Sequence, residues 1–198
     1  MRIYTDLQDS QVLHHLERER VGVIPTDTIY GLACLAESET AVAKLYTLKP
    51  RELKPGTVIA ANVDQIVGLG VQRRYVKAVE HLWPNPISII LPCKAVASYL
   101  DKGRLSLPFR IPADPGLRNL LLAVGPLLTT SANDPDCPAS MTVQDAINYF
   151  HERADFYVDG GDLTGSKPST IIRVVDDAIE VLRQGVVSVD EATGRLLL

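Results

Sequence analysis

Short apolar runs alternate along this chain with amphipathic segments that carry helix-capping residues, and this pattern constrains the fold more than any other feature. Residues 115–124 illustrate it, because Asp114 can cap a helix there, Pro115 suits its first turn and Gly125 ends it. An apolar run at 127–130 follows as a strand. Helices and strands alternate early and strands dominate late. We therefore predict an α/β (α+β) fold with a twisted sheet of mixed parallel and antiparallel strands and helices on its faces.

The predicted elements are short, and no repeat or low-complexity run interrupts them. Apolar spacing and capping residues predict helices at 7–18, 38–49, 62–69, 73–82, 115–124 and 142–152. Apolar or alternating runs predict strands at 21–24, 57–61, 87–91, 105–111, 127–130, 156–158, 170–175, 179–182 and 186–189. A chain of 198 residues that is 46% hydrophobic can bury a sizeable core. We expect a single domain over 1–198.

Composition narrows the class of protein. The net charge of −4 argues against a protein that holds nucleic acid chiefly by releasing counterions. The cysteines Cys34, Cys93 and Cys137 are far apart, so neither a disulfide framework nor a zinc site is indicated. The sequence lacks both a signal peptide pattern and an apolar segment long enough to span a membrane. We expect a cytoplasmic protein without a structural metal.

The segment PTDTIYG carries polar side chains directly after the first predicted strand. Thr26, Asp27, Thr28 and Tyr30 lie between a proline and a glycine. Side chains at the carboxyl edge of a sheet commonly bind a ligand in open α/β folds. The alternative is a turn in which Asp27 and the threonines satisfy their own backbone.

Three cations follow the second predicted helix. Lys49, Arg51 and Lys54 lie within six residues, and flanking prolines stiffen the segment. Such a group can hold several phosphate or carboxylate oxygens at once. The alternative is an exposed helix end, because Lys and Arg are also favoured at helix C-termini.

Two further polar clusters follow predicted strands. Thr130, Ser131 and Asn133 follow an apolar run, and a glycine-rich segment at 160–168 precedes Ser169 and Thr170. The glycine-rich segment is not a P-loop, because its second glycine is followed by Ser-Lys-Pro instead of Lys-Ser/Thr. Proline would also block the helix that a P-loop needs, so we exclude a Walker-type NTPase.

Taken together, these motifs resemble the YrdC/Sua5 family, whose members are threonylcarbamoyl-AMP synthases. The resemblance runs from about residue 10 to 187. The motifs that carry it are Pro25-Thr-Asp-Thr-Ile-Tyr-Gly-Leu32, Lys49-x-Arg51-x-x-Lys54-Pro55, Trp83-Pro-Asn-Pro86, Arg110-Ile-Pro112, Thr130-Ser-Ala-Asn133, Asp159-Gly-Gly161, Pro168-Ser-Thr170 and Arg183-Gln-Gly185.

The resemblance implies a YrdC-like fold with a central cleft and a reaction of L-threonine, bicarbonate and ATP. The products would be threonylcarbamoyl-AMP, used to modify adenosine 37 of tRNA, and pyrophosphate. Mg²⁺ is expected with the ATP, and the tRNA threonylcarbamoyl transferase machinery is expected downstream. Lys49 and Arg51 are implied as catalytic residues. The implied substrate-binding residues are Thr28, Tyr30, Lys54, Arg110, Thr130, Ser131, Asn133, Ser169, Thr170 and Arg183.

The sequence departs from the family pattern in three places. One is Gly56-Thr57 after Lys54-Pro55, where an apolar residue is more usual. Asn85 replaces a glycine, and we expect it to adopt positive φ, which Asn tolerates better than most residues. The segment Asp134-Pro135-Asp136 replaces a Ser-Gly pair after Asn133, and its contacts are not predicted.

Two alternative functions remain open from the sequence. One is an RNA-binding module without catalysis, against which the acidic net charge weighs. The other is a carbamoyl-transfer domain similar to part of the hydrogenase-maturation proteins, although the zinc-finger cysteines of those proteins are missing.

Overall fold

A computed structural model describes residues 1–50, 55–175, 178–190, 193 and 195–197. The strands are β1 Ile3–Tyr4, β2 Gly22–Ile24, β3 Gly31–Leu35, β4 Thr57–Ile59, β5 Ile87–Pro92, β6 Ser106–Arg110, β7 Leu127–Ser131, β8 Phe156–Val158, β9 Thr170–Val175, β10 Ala178–Arg183, β11 Ser188–Val189 and β12 Leu196–Leu197. The helices are α1 Ser10–Glu17, α2 Glu39–Leu48, α3 Val63–Gly68, α4 Arg73–Val79, α5 Ser98–Asp101, α6 Pro115–Val124 and α7 Val143–Phe150, and 3-10 turns span Glu80–Leu82 and His151–Arg153.

Within these ranges, ten strands form one sheet in the order β1-β8-β2-β3-β7-β4-β6-β5-β9-β10, and β11 pairs with β12. The neighbours β1/β8, β2/β8, β4/β6 and β5/β9 are parallel. The pairs β2/β3, β3/β7, β4/β7, β5/β6 and β9/β10 are antiparallel. The predicted mixed sheet is therefore confirmed.

Helices cover both faces of the sheet. Successive residues of a strand point to opposite faces, so they pack against different helices. In β8, Phe156 packs with Val12 of α1 and Leu117 of α6 in one core cluster. The next residue, Tyr157, belongs to a larger cluster with residues of α2, α4 and α7 on the other face. The central strands are therefore buried on both sides, which explains their continuous apolar runs.

The helix boundaries follow from local capping chemistry that the sequence predicted. The side chains of Ser38, Asn62 and Asp114 each accept a hydrogen bond from a backbone N–H in the first turn of α2, α3 and α6. Thr142 and Asp145 form a reciprocal capping box at the start of α7. These caps confirm the predicted starts of these four helices. Helix α1 instead starts at Ser10, three residues later than predicted, because Asp9 caps it.

Several elements were not predicted, and β3 is the most important of them. Its sequence GLACL opens with glycine and follows a polar segment, so it carries weak strand signals. It pairs antiparallel with β2 through Ile24 and Gly31, which makes the intervening polar segment the loop of a β-hairpin. Strands β1 and β12 and helix α5 were also missed, because each has at most four residues.

The conformation predicted for Asn85 is wrong, because it is not among the described residues with positive φ. Its amide side chain instead donates to the carbonyl of Leu82 at 2.9 Å. Its backbone N–H donates to the carbonyl of Ile111 at 3.1 Å. Asn85 thus makes this contact through a side-chain donor that glycine lacks.

In the part of the chain that is described, no helix combines the length and the apolar character needed to cross a membrane.

Candidate functional site

A cleft of about 280 Å³ lies where the ends of several central strands meet. Eight of the predicted site residues line it: Thr28, Tyr30, Arg110, Thr130, Ser131, Asn133, Ser169 and Arg183. Strand pairing explains this convergence, because Gly31 at the start of β3 pairs with Ser131 at the end of β7. The β2–β3 loop and the residues after β7 therefore reach the same edge of the sheet.

Lys49 lies beside the cleft and is buried, with an exposed fraction of 5%. Its Nζ donates to the carbonyl of Ser131 at 2.7 Å, to Ser131 Oγ at 3.0 Å and to Asn133 Oδ1 at 2.8 Å. These three oxygens match the three donors of an ammonium group. The alternative of an exposed helix end is therefore wrong for Lys49, which holds the end of β7 in place.

The other two cations of that motif, Arg51 and Lys54, lie outside the described residues. The residues that directly follow Lys54 lie at the cleft. Pro55 lines the cleft, and the N–H of Gly56 donates to Tyr46 Oη at 3.0 Å. A Cβ on Gly56 would lie 2.5 Å from the carbonyl oxygen of Thr129, so the backbone passes too close for any side chain.

Arg110 forms a buried ion pair with Asp27. Its Nη2 lies 3.3 Å from Asp27 Oδ1, and both side chains are 5% exposed. The other carboxylate oxygen of Asp27 accepts a hydrogen bond from the N–H of Ala113 at 2.9 Å. Burial lowers the pKa of Arg110 and the nearby carboxylate opposes this effect. Because the reference pKa of arginine is so high, the guanidinium stays charged. Asp27 thus orients the β2–β3 loop.

The hydroxyl groups of Thr26 and Thr28 have fixed roles. Thr26 Oγ1 donates its single proton to the carbonyl of Ile29 at 2.7 Å, so in the 2.9 Å contact between the two hydroxyls Thr28 is the donor. Arg110 Nη1 donates to Thr28 Oγ1 at 3.3 Å. The proton of Thr28 is therefore used within the protein, and its hydroxyl offers a ligand only an acceptor.

Tyr30 lines the cleft, but its hydroxyl does not serve as a pocket hydroxyl in the way the sequence predicted. It donates to the carbonyl of Gly161 at 2.7 Å and accepts from the N–H of Gly160 at 2.9 Å. Burial raises the pKa of Tyr30. A Cβ on Gly160 would lie 2.4 Å from Pro25 Cβ, so the two loops are in close contact. Tyr30 therefore joins the β2–β3 loop to the glycine-rich segment.

Replacement of Tyr30 by phenylalanine should lower the free energy of unfolding by about 1–3 kcal/mol, because two part-buried hydrogen bonds are lost and each contributes about 0.5–1.5 kcal/mol. The preference of the cleft among its ligands should not change, because the Tyr30 hydroxyl is already bonded within the protein. Urea unfolding and calorimetric titration of the variant measure the two effects. Tyr99→Phe is a matched control, because the Tyr99 hydroxyl makes one longer bond of 3.3 Å, to the carbonyl of Ala36. An unchanged stability together with altered ligand preference would contradict this structural role.

Ser169 and Arg183 form the opposite wall of the cleft. Arg183 donates from Nε and Nη2 to the carbonyl of Ser169 at 3.0 and 2.7 Å, and from Nη2 to Ser169 Oγ at 3.2 Å. Thr170 does not line the cleft, in contrast to the prediction. It is fully buried, and its hydroxyl accepts from the N–H of Gly185 at 3.0 Å and donates to the carbonyl of Val187. Thr170 thus fastens the segment after β10.

The sequence missed several residues of the cleft wall, among them Thr57, Thr129, Cys137 and Ala139. Cys137 reaches the cleft because Asn133 Nδ2 donates to the carbonyls of Asp134 at 3.0 Å and Cys137 at 2.6 Å. The unpredicted segment after Asn133 therefore wraps around its amide. Asparagine commonly bonds to nearby backbone, but the sequence carries no signal for this loop closure.

Comparison with known proteins relates the chain to one family. The family model Sua5/YciO/YrdC, described as "Telomere recombination", matches residues 14–185. A protein of Methanocaldococcus jannaschii, provisionally named threonylcarbamoyl-AMP synthase, is 32% identical over 91% of this chain and 89% of its own length. The threonylcarbamoyl-AMP synthase of Pseudomonas putida is 30% identical over 88% of this chain and 96% of its own length.

The same fold occurs in a solved structure. The crystal structure of P. abyssi Sua5 complexed with L-threonine superimposes with a TM-score of 0.85 at 21% identity. The match covers 97% of this chain and 60% of that chain.

Proposed function

The chain belongs to the Sua5/YciO/YrdC family, and from this we propose that it is an L-threonylcarbamoyladenylate synthase that uses L-threonine and ATP. The observation that carries the proposal is one cleft that joins the buried cations Lys49 and Arg110 to the hydroxyls of Thr28, Ser131 and Ser169. Two relatives that share about a third of their residues over most of the chain bear the corresponding name. The structural neighbour complexed with L-threonine supports an amino-acid ligand.

We further propose bicarbonate as the third substrate. The amine of threonine and bicarbonate form a carbamate with loss of water. A carbamate oxygen then attacks the α-phosphorus of ATP and the bond to the β-phosphate breaks, which releases pyrophosphate. This route needs no nucleophile from the protein. Catalysis then rests on positioning and on stabilisation of negative charge.

The described residues fit these tasks in different ways. Arg110 supplies a buried positive charge at the β2–β3 loop, and Thr28 can accept a hydrogen bond from the substrate. Lys49 holds Ser131 and Asn133 in position and brings positive charge to the same region. We assign Arg51 and Lys54 to the triphosphate, because guanidinium and ammonium groups stabilise charge on a departing pyrophosphate.

We propose that Mg²⁺ enters as the counter-ion of ATP. Mg²⁺ prefers oxygen ligands and usually binds through substrate phosphates together with one or two carboxylates. In the described ranges, no group of three or more His, Cys, Asp or Glu side chains is placed to hold a metal ion.

We also propose a cytoplasmic protein whose product passes to the machinery that modifies tRNA.

The test is a pyrophosphate-release assay with purified protein, ATP and Mg²⁺. Pyrophosphate should form only when L-threonine and bicarbonate are both present, and mass spectrometry should detect threonylcarbamoyl-AMP. Separate omission of threonine and of bicarbonate provides the controls. Release of orthophosphate in place of pyrophosphate would contradict adenylate formation. RNA binding without turnover would favour the non-catalytic alternative, and transfer from carbamoyl phosphate would favour the hydrogenase-maturation alternative.

A further inference from the structure

Strand β5 contains one buried polar side chain whose position is explained only by the cleft. Its sequence is ISIILP, and Ser88 is fully buried among the apolar residues of the strand. A buried hydroxyl costs free energy unless it is hydrogen-bonded. Within the described chain, Ser88 Oγ has one hydrogen-bond partner, Ser169 Oγ at 3.0 Å. Ser88 is therefore connected to the fold through a residue of the cleft wall.

The donors around Ser169 fix the direction of its proton. Arg183 can only donate, so Ser169 Oγ accepts the 3.2 Å hydrogen bond from Arg183 Nη2. If Ser169 also donated to Ser88, the proton of Ser88 would be buried without an acceptor. The favourable arrangement has Ser88 donating to Ser169. The Ser169 hydroxyl then accepts twice, and its own proton remains for a ligand.

We infer that Ser88 is a positioning residue that makes Ser169 a hydrogen-bond donor toward an anionic oxygen of the substrate. That oxygen belongs to either the carboxylate of the amino acid or a phosphate of ATP. Ser169 suits this role because it lines the cleft and is 6% exposed, so a bond that it makes is shielded from water. The inference rests on the proposed function for the identity of the ligand, but the direction of the proton rests on the contacts alone.

Loss of the Ser88 hydroxyl has a specific consequence. Without that donor, Ser169 Oγ keeps only the hydrogen bond from Arg183, so the hydroxyl can rotate and its proton is no longer fixed toward the ligand. A hydrogen bond to a charged group is worth about 1.5–3 kcal/mol in total, which corresponds to about 10- to 100-fold in affinity. We expect Ser88→Ala to lose about tenfold in kcat/KM, and Ser169→Ala to lose 10- to 100-fold.

A double-mutant cycle tests this inference, with kcat and KM measured separately for threonine and for ATP. If Ser88 acts through Ser169, the Ser88→Ala/Ser169→Ala protein should be no worse than Ser169→Ala, within about twofold. A rise in KM for threonine assigns the acceptor to the carboxylate, and a rise in KM for ATP assigns it to a phosphate. Ser38→Ala is the control, because it removes another buried serine hydroxyl that caps α2 at the end away from Lys49.

The outcomes are distinct. Independent losses that multiply in the double variant would overturn the inference, as would a Ser88→Ala protein with wild-type kinetics. An equal loss of kcat/KM in Ser38→Ala would mean that the loss in Ser88→Ala reflects general destabilisation. That result would also overturn the inference. Titration calorimetry with threonine and with ATP separates a failure of the inference about Ser88 from a failure of the proposed function. A wild-type protein that binds these ligands without releasing pyrophosphate contradicts only the proposed function, and the cycle is then read from dissociation constants. Wild-type protein that binds neither ligand contradicts both.

Discussion

Lys49→Met is expected to reduce kcat/KM for pyrophosphate release by about 10²–10³-fold, the effect of losing one well-placed group that stabilises charge. Methionine keeps an unbranched side chain but has no ammonium group. Three acceptors on Ser131 and Asn133 then lose their donor in a buried place, so the free energy of unfolding should also fall, by about 2 kcal/mol. Enzyme assays and urea unfolding measure the two losses.

Lys44→Met is the matched control because it makes the same chemical change within α2, the helix that Lys49 directly follows. The Lys44 side chain is 45% exposed and its Nζ lies 3.5 Å from Asp155 Oδ2 at the surface. Surface ion pairs contribute about 0–1 kcal/mol, so this variant should remain close to wild type in both measurements. If Lys49→Met and Lys44→Met behave alike, Lys49 does not hold the end of β7.

The ion pair between Asp27 and Arg110 gives the second large effect. Asp27→Asn leaves the buried guanidinium without its counter-charge, which should lower the free energy of unfolding by about 3 kcal/mol. Threonine-dependent turnover should fall by at least about 100-fold, because the β2–β3 loop loses its fixed orientation. Differential scanning calorimetry and the pyrophosphate assay measure these changes.

A second substitution separates stability from activity at this pair. Asp27→Asn combined with Arg110→Met removes the unpaired charge, so most of the lost stability should return. Activity should stay low, because the cleft has then lost the positive charge of Arg110. Asp64→Asn is the control, since Asp64 pairs with Arg73 at an exposed site. Recovery of activity in the double variant would show that Arg110 serves only the fold.

The sequence was a good guide where the determining forces are local. Caps such as Asp114 and Thr142 depend on residues three positions away, and both were identified correctly. The apolar runs also indicated most of the sheet. Strand β3 escaped because its signals are weak and its burial comes from pairing with β2 and β7, which periodicity does not reveal.

The candidate site was predicted in its residue types but not in its contacts. Lys49 was recognised as a cation, yet its burial depends on Ser131, which lies 82 residues further along the chain. The hydroxyl of Tyr30 was assigned to a ligand, but it bonds to Gly161, 131 residues away. Ser88 was not identified at all, because a single serine in an apolar strand gives no functional signal. Such long-range partners decide what each polar group does.

The order of the strands also has a consequence for how the protein folds. The cleft takes residues from Thr26 to Arg183, and the strands that present them pair out of chain order. Folds dominated by such non-local pairing form slowly, because chain entropy is lost before the contacts are gained. The cleft therefore forms only after nearly all strands of the sheet have paired. A ligand that binds this cleft binds only the fully folded protein, so substrate in the cell would stabilise the entire domain by mass action.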